Sequence, residues 1–203
     1  MATIGIRQRI PLSLFEMALR AVLSGEYSRK YYAELAAMEY NGPNRIEKSV
    51  CIISKLTDQN PLIDFLLEHR DEVTEALRYQ TDRGVILSAM LIATYEFVYD
   101  MMCLYGKFFH VQDQVPTSLI SGKLSDKYGS NRSLPNAMNS AIPMLLEAGL
   151  LKRPVIGMYE IGRCTPSTEI ARKVYDRAFM HWNPNCEAGE IPSTHPFYEF
   201  VNK

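Results

Sequence analysis

The sequence predicts a mainly α protein, a helical bundle followed by a winged helix-turn-helix with a small β-hairpin. Three observations carry that expectation. Apolar residues recur at helical spacing through the first half of the chain, and no segment there alternates at the strand period. The stretch Pro116 to Gly162 then reads as helix, Gly-Ser-Asn-Arg turn, helix, and two short strand-like segments meeting at Pro154 to Gly157. Positive charge gathers in that same region. Residues 117–177 carry 9 Lys/Arg against 5 Asp/Glu, net +4, whereas residues 1–116 carry 12 against 15, in a chain of net charge −1.

The first helix covers residues 12–24, with Phe15, Leu19 and Val22 on one face and Gly25 as its stop. Tyr27 to Tyr40 forms the second, closed by Asn41-Gly42-Pro43. Asn44 can cap a third helix, with Glu47 three residues on completing a capping box. Pro61 suits the first turn of a fourth, running to about Tyr79. Asp82 can cap a long fifth helix to Phe109, apolar on most sides and hence central. Such a helix is also the candidate dimer element, so a homodimer is one expected partner state.

Thr117 can cap the next helix, to Tyr128, and Gly129 ends it. Ser133 can cap the following one, whose buried face is Leu134, Met138, Ala141, Ile142, Leu145 and Leu146. Pro143 should kink or break this helix, because it removes a backbone donor. Leu150 to Arg153 and Met158 to Ile161 are the expected hairpin strands. A short helix over Glu169 to Ala178 precedes a tail lacking helical periodicity. The expected division is a helical domain over 1–110, a winged-helix domain over 111–178, and an aromatic, Pro-rich tail over 179–203. Helices one to three are a candidate second helix-turn-helix-like unit.

The face opposite the apolar one on the Ser133 helix carries Asn136, Asn139 and Ser140, entered through Asn131 and Arg132. Short polar groups at a helix N-terminus are what meets base edges and phosphates when such a helix lies in a groove. Lys152, Arg153 and Arg163 at the hairpin lie near an expected phosphate path, and Lys123 and Lys127 stand on the preceding helix. The expected nucleic-acid site is therefore Lys123, Lys127, Asn131, Arg132, Ser133, Asn136, Asn139, Lys152 and Arg153, and the expected partner is duplex DNA. Arg29, Lys30, Arg45, Lys48 and Lys55 make a second basic face, diluted by Glu34, Glu39 and Glu47 and read as a solvated surface.

Catalytic and metal signals are weak. Cys164, His181, Cys186 and His195 do not fit a compact zinc module. GxSxG, HExxH and P-loop patterns are absent. The expectation is a non-enzyme with no cofactor. Scattered cysteines and an N-terminus without an uninterrupted apolar run point to a cytoplasmic protein rather than a secreted one. The Val85 to Tyr95 segment is too short to cross a membrane. Trp182, Phe197, Tyr198 and Phe200 are too apolar for a solvated tail. They are expected to dock on the body, the alternative being a partner-binding arm through Trp182, Phe197 and Tyr198.

The segments LSGEYSRKYYAELA, NRIEKSVCIISKL, LIATYEFVYDMM and PMLLEAGLLKR together resemble the small BrxA-like proteins of BREX phage-defence systems. The resemblance implies a small, helical, non-enzymatic DNA-binding component of a defence locus, and no site residue is taken from it. DNA binding in a prokaryotic regulator or complex component is thus the first functional expectation. A protein-interaction adaptor on a winged-helix scaffold and RNA binding by the helical half are the alternatives.

Overall fold

A computed structural model describes residues 4–129, 132–186 and 194–202. The protein is mainly helical with one small antiparallel sheet. Its elements run α1 (Leu12–Ser24), α2 (Arg29–Glu39), α3 (Pro43–Leu56), α4 (Ile63–Glu68), α5 (Arg70–Ala76), α6 (Gln80–Thr94) and α7 (Glu96–Phe109). There follow β1 (Gln114–Pro116), α8 (Thr117–Tyr128), α9 (Ser133–Glu147), β2 (Leu151–Val155), β3 (Met158–Ile161), α10 (Glu169–Trp182) and a 3-10 turn at Pro196–Glu199. Buried side chains form one cluster reaching from Ile6 to Val201.

Several expected helix boundaries move. The long fifth helix is two helices, α6 and α7, bent by 119° at Tyr95. Tyr95 is extended, at φ −130° and ψ 108°, with its ring buried. Asn60 fixes the end of α6 just before the break. Its buried amide donates to Met90 O and Thr94 Oγ1, and its carbonyl accepts from Leu62 N at 2.9 Å. Gly84 to Ala93 are all buried, so α6 is covered all round and offers no dimer seam. No single helix among the described residues is long and apolar enough to cross a membrane.

The expected fourth helix also divides, into α4 and α5 at His69 (φ −104°, ψ 30°). Helix α3 starts two residues earlier than an Asn44 cap requires, because Pro43 takes the first helical position and Gly42, at φ +90°, precedes it. Asp82 lies inside the first turn of α6 and does not cap it. Its buried carboxylate instead accepts from Ser167 N and Thr168 N at 2.7 and 2.8 Å, closing the N-terminus of α10.

Helix α9 passes through Pro143 without ending. The lost donor leaves the Asn139 carbonyl without its intrahelical partner. Buried Met144 and Leu145 continue the apolar face on the far side. Gly149, at φ +84°, then stops the helix, with Gly149 N bonded to Leu146 O and Leu150 N to Leu145 O.

The sheet order is β1-β3-β2, antiparallel throughout. Val115 faces Tyr159 and Lys152 faces Glu160, and the register slips between Lys152 and Val155. Strand β1 was not expected from the sequence. Strand β2 reaches Val155, past Pro154, so the hairpin turn is shorter than a Pro154 to Gly157 tip.

The tail docks on the body. Phe197, Phe200 and Val201 are buried, the Tyr175 hydroxyl donates to Phe197 O, and Tyr198 donates to Asp176 at 2.9 Å. Helix α10 runs to Trp182, four residues beyond its expected end, and the Trp182 indole donates to Ile92 O. Trp182, Phe197 and Tyr198 thus make contacts within the chain, the docked arrangement expected first.

Candidate nucleic-acid interface

Helices α8 and α9 owe their placement to contacts with α7 and the hairpin. Thr117 at the start of α8 is not a cap: its N–H and its hydroxyl both donate to Gly157 O, at 2.8 and 3.1 Å, pinning α8 to the hairpin turn. At the other end of α8, Asp100 of α7 accepts from the Tyr128 hydroxyl and from Lys127 Nζ, each at 2.6 Å. Lys127 also bonds Glu96 at 2.8 Å. The Tyr128 ring packs edge-on against Phe97, 5.2 Å between centroids.

This cluster sets the chemistry of Lys127. Partial burial lowers the affinity of its amine for a proton, but the hydrogen bonds and charges of Asp100 and Glu96 outweigh that and raise it above the ordinary lysine value. The Tyr128 hydroxyl is raised by burial first and by Asp100 second. The charge of Lys127 is thus matched by two carboxylates, leaving little of its field for a phosphate.

Lys123 is exposed and forms no ion pair with the described residues. It shares a cavity of about 340 Å³ with Lys107, Lys127 and His195. Arg132, Ser133, Asn136 and Asn139 are exposed along the N-terminal half of α9. Arg132, Asn136 and Asn139 stand four and then three residues apart, which is one helical face. Ser140 departs from that face: it is buried, and its hydroxyl donates to Asn136 O at 2.8 Å. Ser133 opens the helix rather than capping it, Arg132 holding the cap position. Asn131 lies outside the described residues.

Lys152 and Arg153 are exposed on β2, beyond the C-terminal end of α9, and Arg163 is exposed just after β3. No hydrogen bond or ion pair among the described residues links them to the Arg132 group. Between them the hairpin turn presents Val155 at 58% and Ile156 at 94% of full exposure. Two features had no signal in the sequence. Lys107 joins Lys123 only because α7 packs on α8, and the near-complete exposure of Ile156 in the hairpin turn is set by the fold.

Of the Cys/His quartet, Cys164 and His195 lie on separate elements of the described structure. Cys164 is buried, with its thiol directed to Gly149 O at 3.5 Å, and no group of three or more His, Cys, Asp or Glu among the described residues is placed to hold a metal. None of the four cysteines forms a disulfide. Comparison of the chain with family models, curated proteins and solved structures found no match.

Proposed function

We propose that residues 96–161 form a winged helix-turn-helix that binds duplex DNA, with the N-terminal half of α9 in the major groove and the β2–β3 hairpin as the wing. The observation that carries this reading is the order α7-β1-α8-α9-β2-β3 with the sheet arranged β1-β3-β2. That arrangement leaves the polar face of α9 open while its apolar face is buried. Arg132, Asn136 and Asn139 supply phosphate and base-edge contacts, and Lys123, Lys152 and Arg153 supply flanking phosphate contacts. Lys127 contributes to the placement of α8 rather than to the DNA. The protein is then a non-enzymatic DNA-binding regulator or complex component, and the BrxA-like resemblance suggests phage defence as its setting.

The test is a salt titration of duplex affinity for the wild-type chain and for a combined Arg132→Glu, Lys152→Glu variant. Loss of binding with an unchanged thermal transition supports the reading. Unchanged binding by the variant refutes the assigned surface.

Ile156 favours a second reading, an adaptor whose wing tip meets another protein. Val155 and Ile156 are adjacent and both exposed, making a small apolar tip on the hairpin turn. Ile156→Lys separates the two readings, since it should strengthen or preserve DNA binding but weaken an apolar protein contact.

A further inference from the structure

The second basic face, read from the sequence as a solvated surface, is partly folded into a cleft. A cavity of about 430 Å³ lies between the N-terminal segment and α3, with Tyr95 at the α6–α7 break in its wall. We propose that this cleft binds a phosphorylated small molecule with a flat ring body, a mononucleotide in the simplest case. The proposal is independent of the DNA-binding reading.

The cationic side gathers three unspent charges around one cavity. Arg7, Lys48 and Lys55 line the cleft, are exposed, and form no ion pair with described residues. The single carboxylate in the lining, Glu47, is bonded to Arg29. Arg9 and Lys173, by contrast, are matched by Glu147 and Glu169. Lys48 and Lys55 are seven residues apart on one helix, so they lie on one face about 10 Å apart along the axis. Arg7 approaches from the opposite wall. That spacing suits a chain of phosphates rather than one isolated anion.

The apolar side supplies a place for the ring. Ile52 and Tyr95 are mostly buried lining residues. Gly5 sits against the Tyr95 ring so closely that an added Cβ would lie 2.8 Å from its Cδ1. The volume falls in the usual range for small-molecule sites of about 300–1,000 Å³. A duplex backbone crossing a basic surface needs only the cations and gains nothing from a buried aromatic wall.

Cys51 lines the same cleft with an exposed thiol, which gives a local readout. The rate of its alkylation by iodoacetamide, followed by peptide mass spectrometry on the full chain, is measured with ATP, AMP, adenosine, tripolyphosphate or a 20-base-pair duplex. The expected result is saturable slowing by ATP, weaker slowing by AMP and none by adenosine. Lys48→Gln with Lys55→Gln should weaken ATP protection about tenfold or more, the loss expected for charge-assisted hydrogen bonds. The Arg132→Glu variant should keep full protection, which separates this cleft from the DNA surface. The proposal is overturned if ATP gives no protection. It is overturned equally if tripolyphosphate matches ATP, leaving no role for the apolar wall, or if only the duplex protects, making the cations part of a nucleic-acid track.

Discussion

Asp82 and Thr168 lie 86 residues apart and meet where two helices begin, the Asp82 carboxylate accepting from Thr168 N at 2.8 Å. The same carboxylate takes Ser167 N at 2.7 Å, and Thr168 in turn accepts from Ala171 N. One buried side chain of α6 thereby satisfies donors that α10 cannot satisfy itself. Asp82→Ala should lower unfolding free energy by about 2–3 kcal/mol, the loss of two charge-assisted hydrogen bonds from a buried carboxylate. Asp82→Asn, which keeps one acceptor oxygen, should cost less. Urea denaturation of the two variants checks the order.

Gly84 faces the last turn of α9, and a Cβ there would lie 2.2 Å from Ala148 O. Alanine normally stabilises a helix interior by about 1 kcal/mol over glycine. Here the obstacle is backbone, which cannot rotate away, and overpacking of this kind costs about 1–3 kcal/mol. Gly84→Ala should therefore destabilise, whereas Gly122→Ala in α8, where a Cβ meets nothing within 4 Å, should stabilise. Thermal melts of both variants decide whether close approach or helix propensity governs each position.

These pairs also explain what the sequence did and did not disclose. The apolar faces of α1, α3 and α9 were legible because each repeats along its own helix. The cap role of Asp82 was misassigned because a side chain one turn from a helix start can equally serve a helix far away in sequence. The break at Tyr95 was hidden because residues 82–109 stay largely apolar across it, and the stop is supplied by Asn60 from the α3–α4 connection. At three residues, β1 is too short to show alternation. For the candidate site, Asn136 and Asn139 on the exposed face of α9 were legible from spacing, whereas Ser140, expected beside them, is buried. The neutralisation of Lys127 and the cleft around Lys48 were not, since both depend on which charges lie across a tertiary contact.

His195 links tail stability to pH. Its Nδ1 accepts from Phe197 N at 3.2 Å, and its ring packs edge-on against Phe179. Burial holds its pKa below the ordinary histidine value. The unfolded chain therefore takes up the proton first as pH falls. The stability contributed by neutral His195 is complete above the unfolded pKa near 6.5 and is lost as pH drops through the lower folded value. Lys107, Lys123 and Lys127 line the same cavity and disfavour a further positive charge, opposed by Asp100. The thermal midpoint should fall between about pH 7 and pH 5, and more steeply than in His195→Asn, which keeps a short acceptor that does not titrate.

Lys127 and Arg132 offer the sharpest division within the expected nucleic-acid site. Both are basic and close in sequence, but Lys127 is held by Asp100 and Glu96 while Arg132 is exposed without an ion pair to the described residues. A cation that contacts a phosphate releases a counterion, so its removal should reduce the slope of log affinity against log salt by about 1. Arg132→Gln should do so. Lys127→Gln should leave the slope unchanged, because the charge it removes is already balanced within the protein. Its effect should appear instead as a stability loss of at most about 1 kcal/mol, in keeping with a half-exposed ion pair. Salt-dependent anisotropy titrations of the two variants, with urea melts alongside, read both quantities. An equal drop in slope for both would mean that Lys127 leaves its carboxylates to meet the DNA, and α8 would then belong to the binding surface along its whole length.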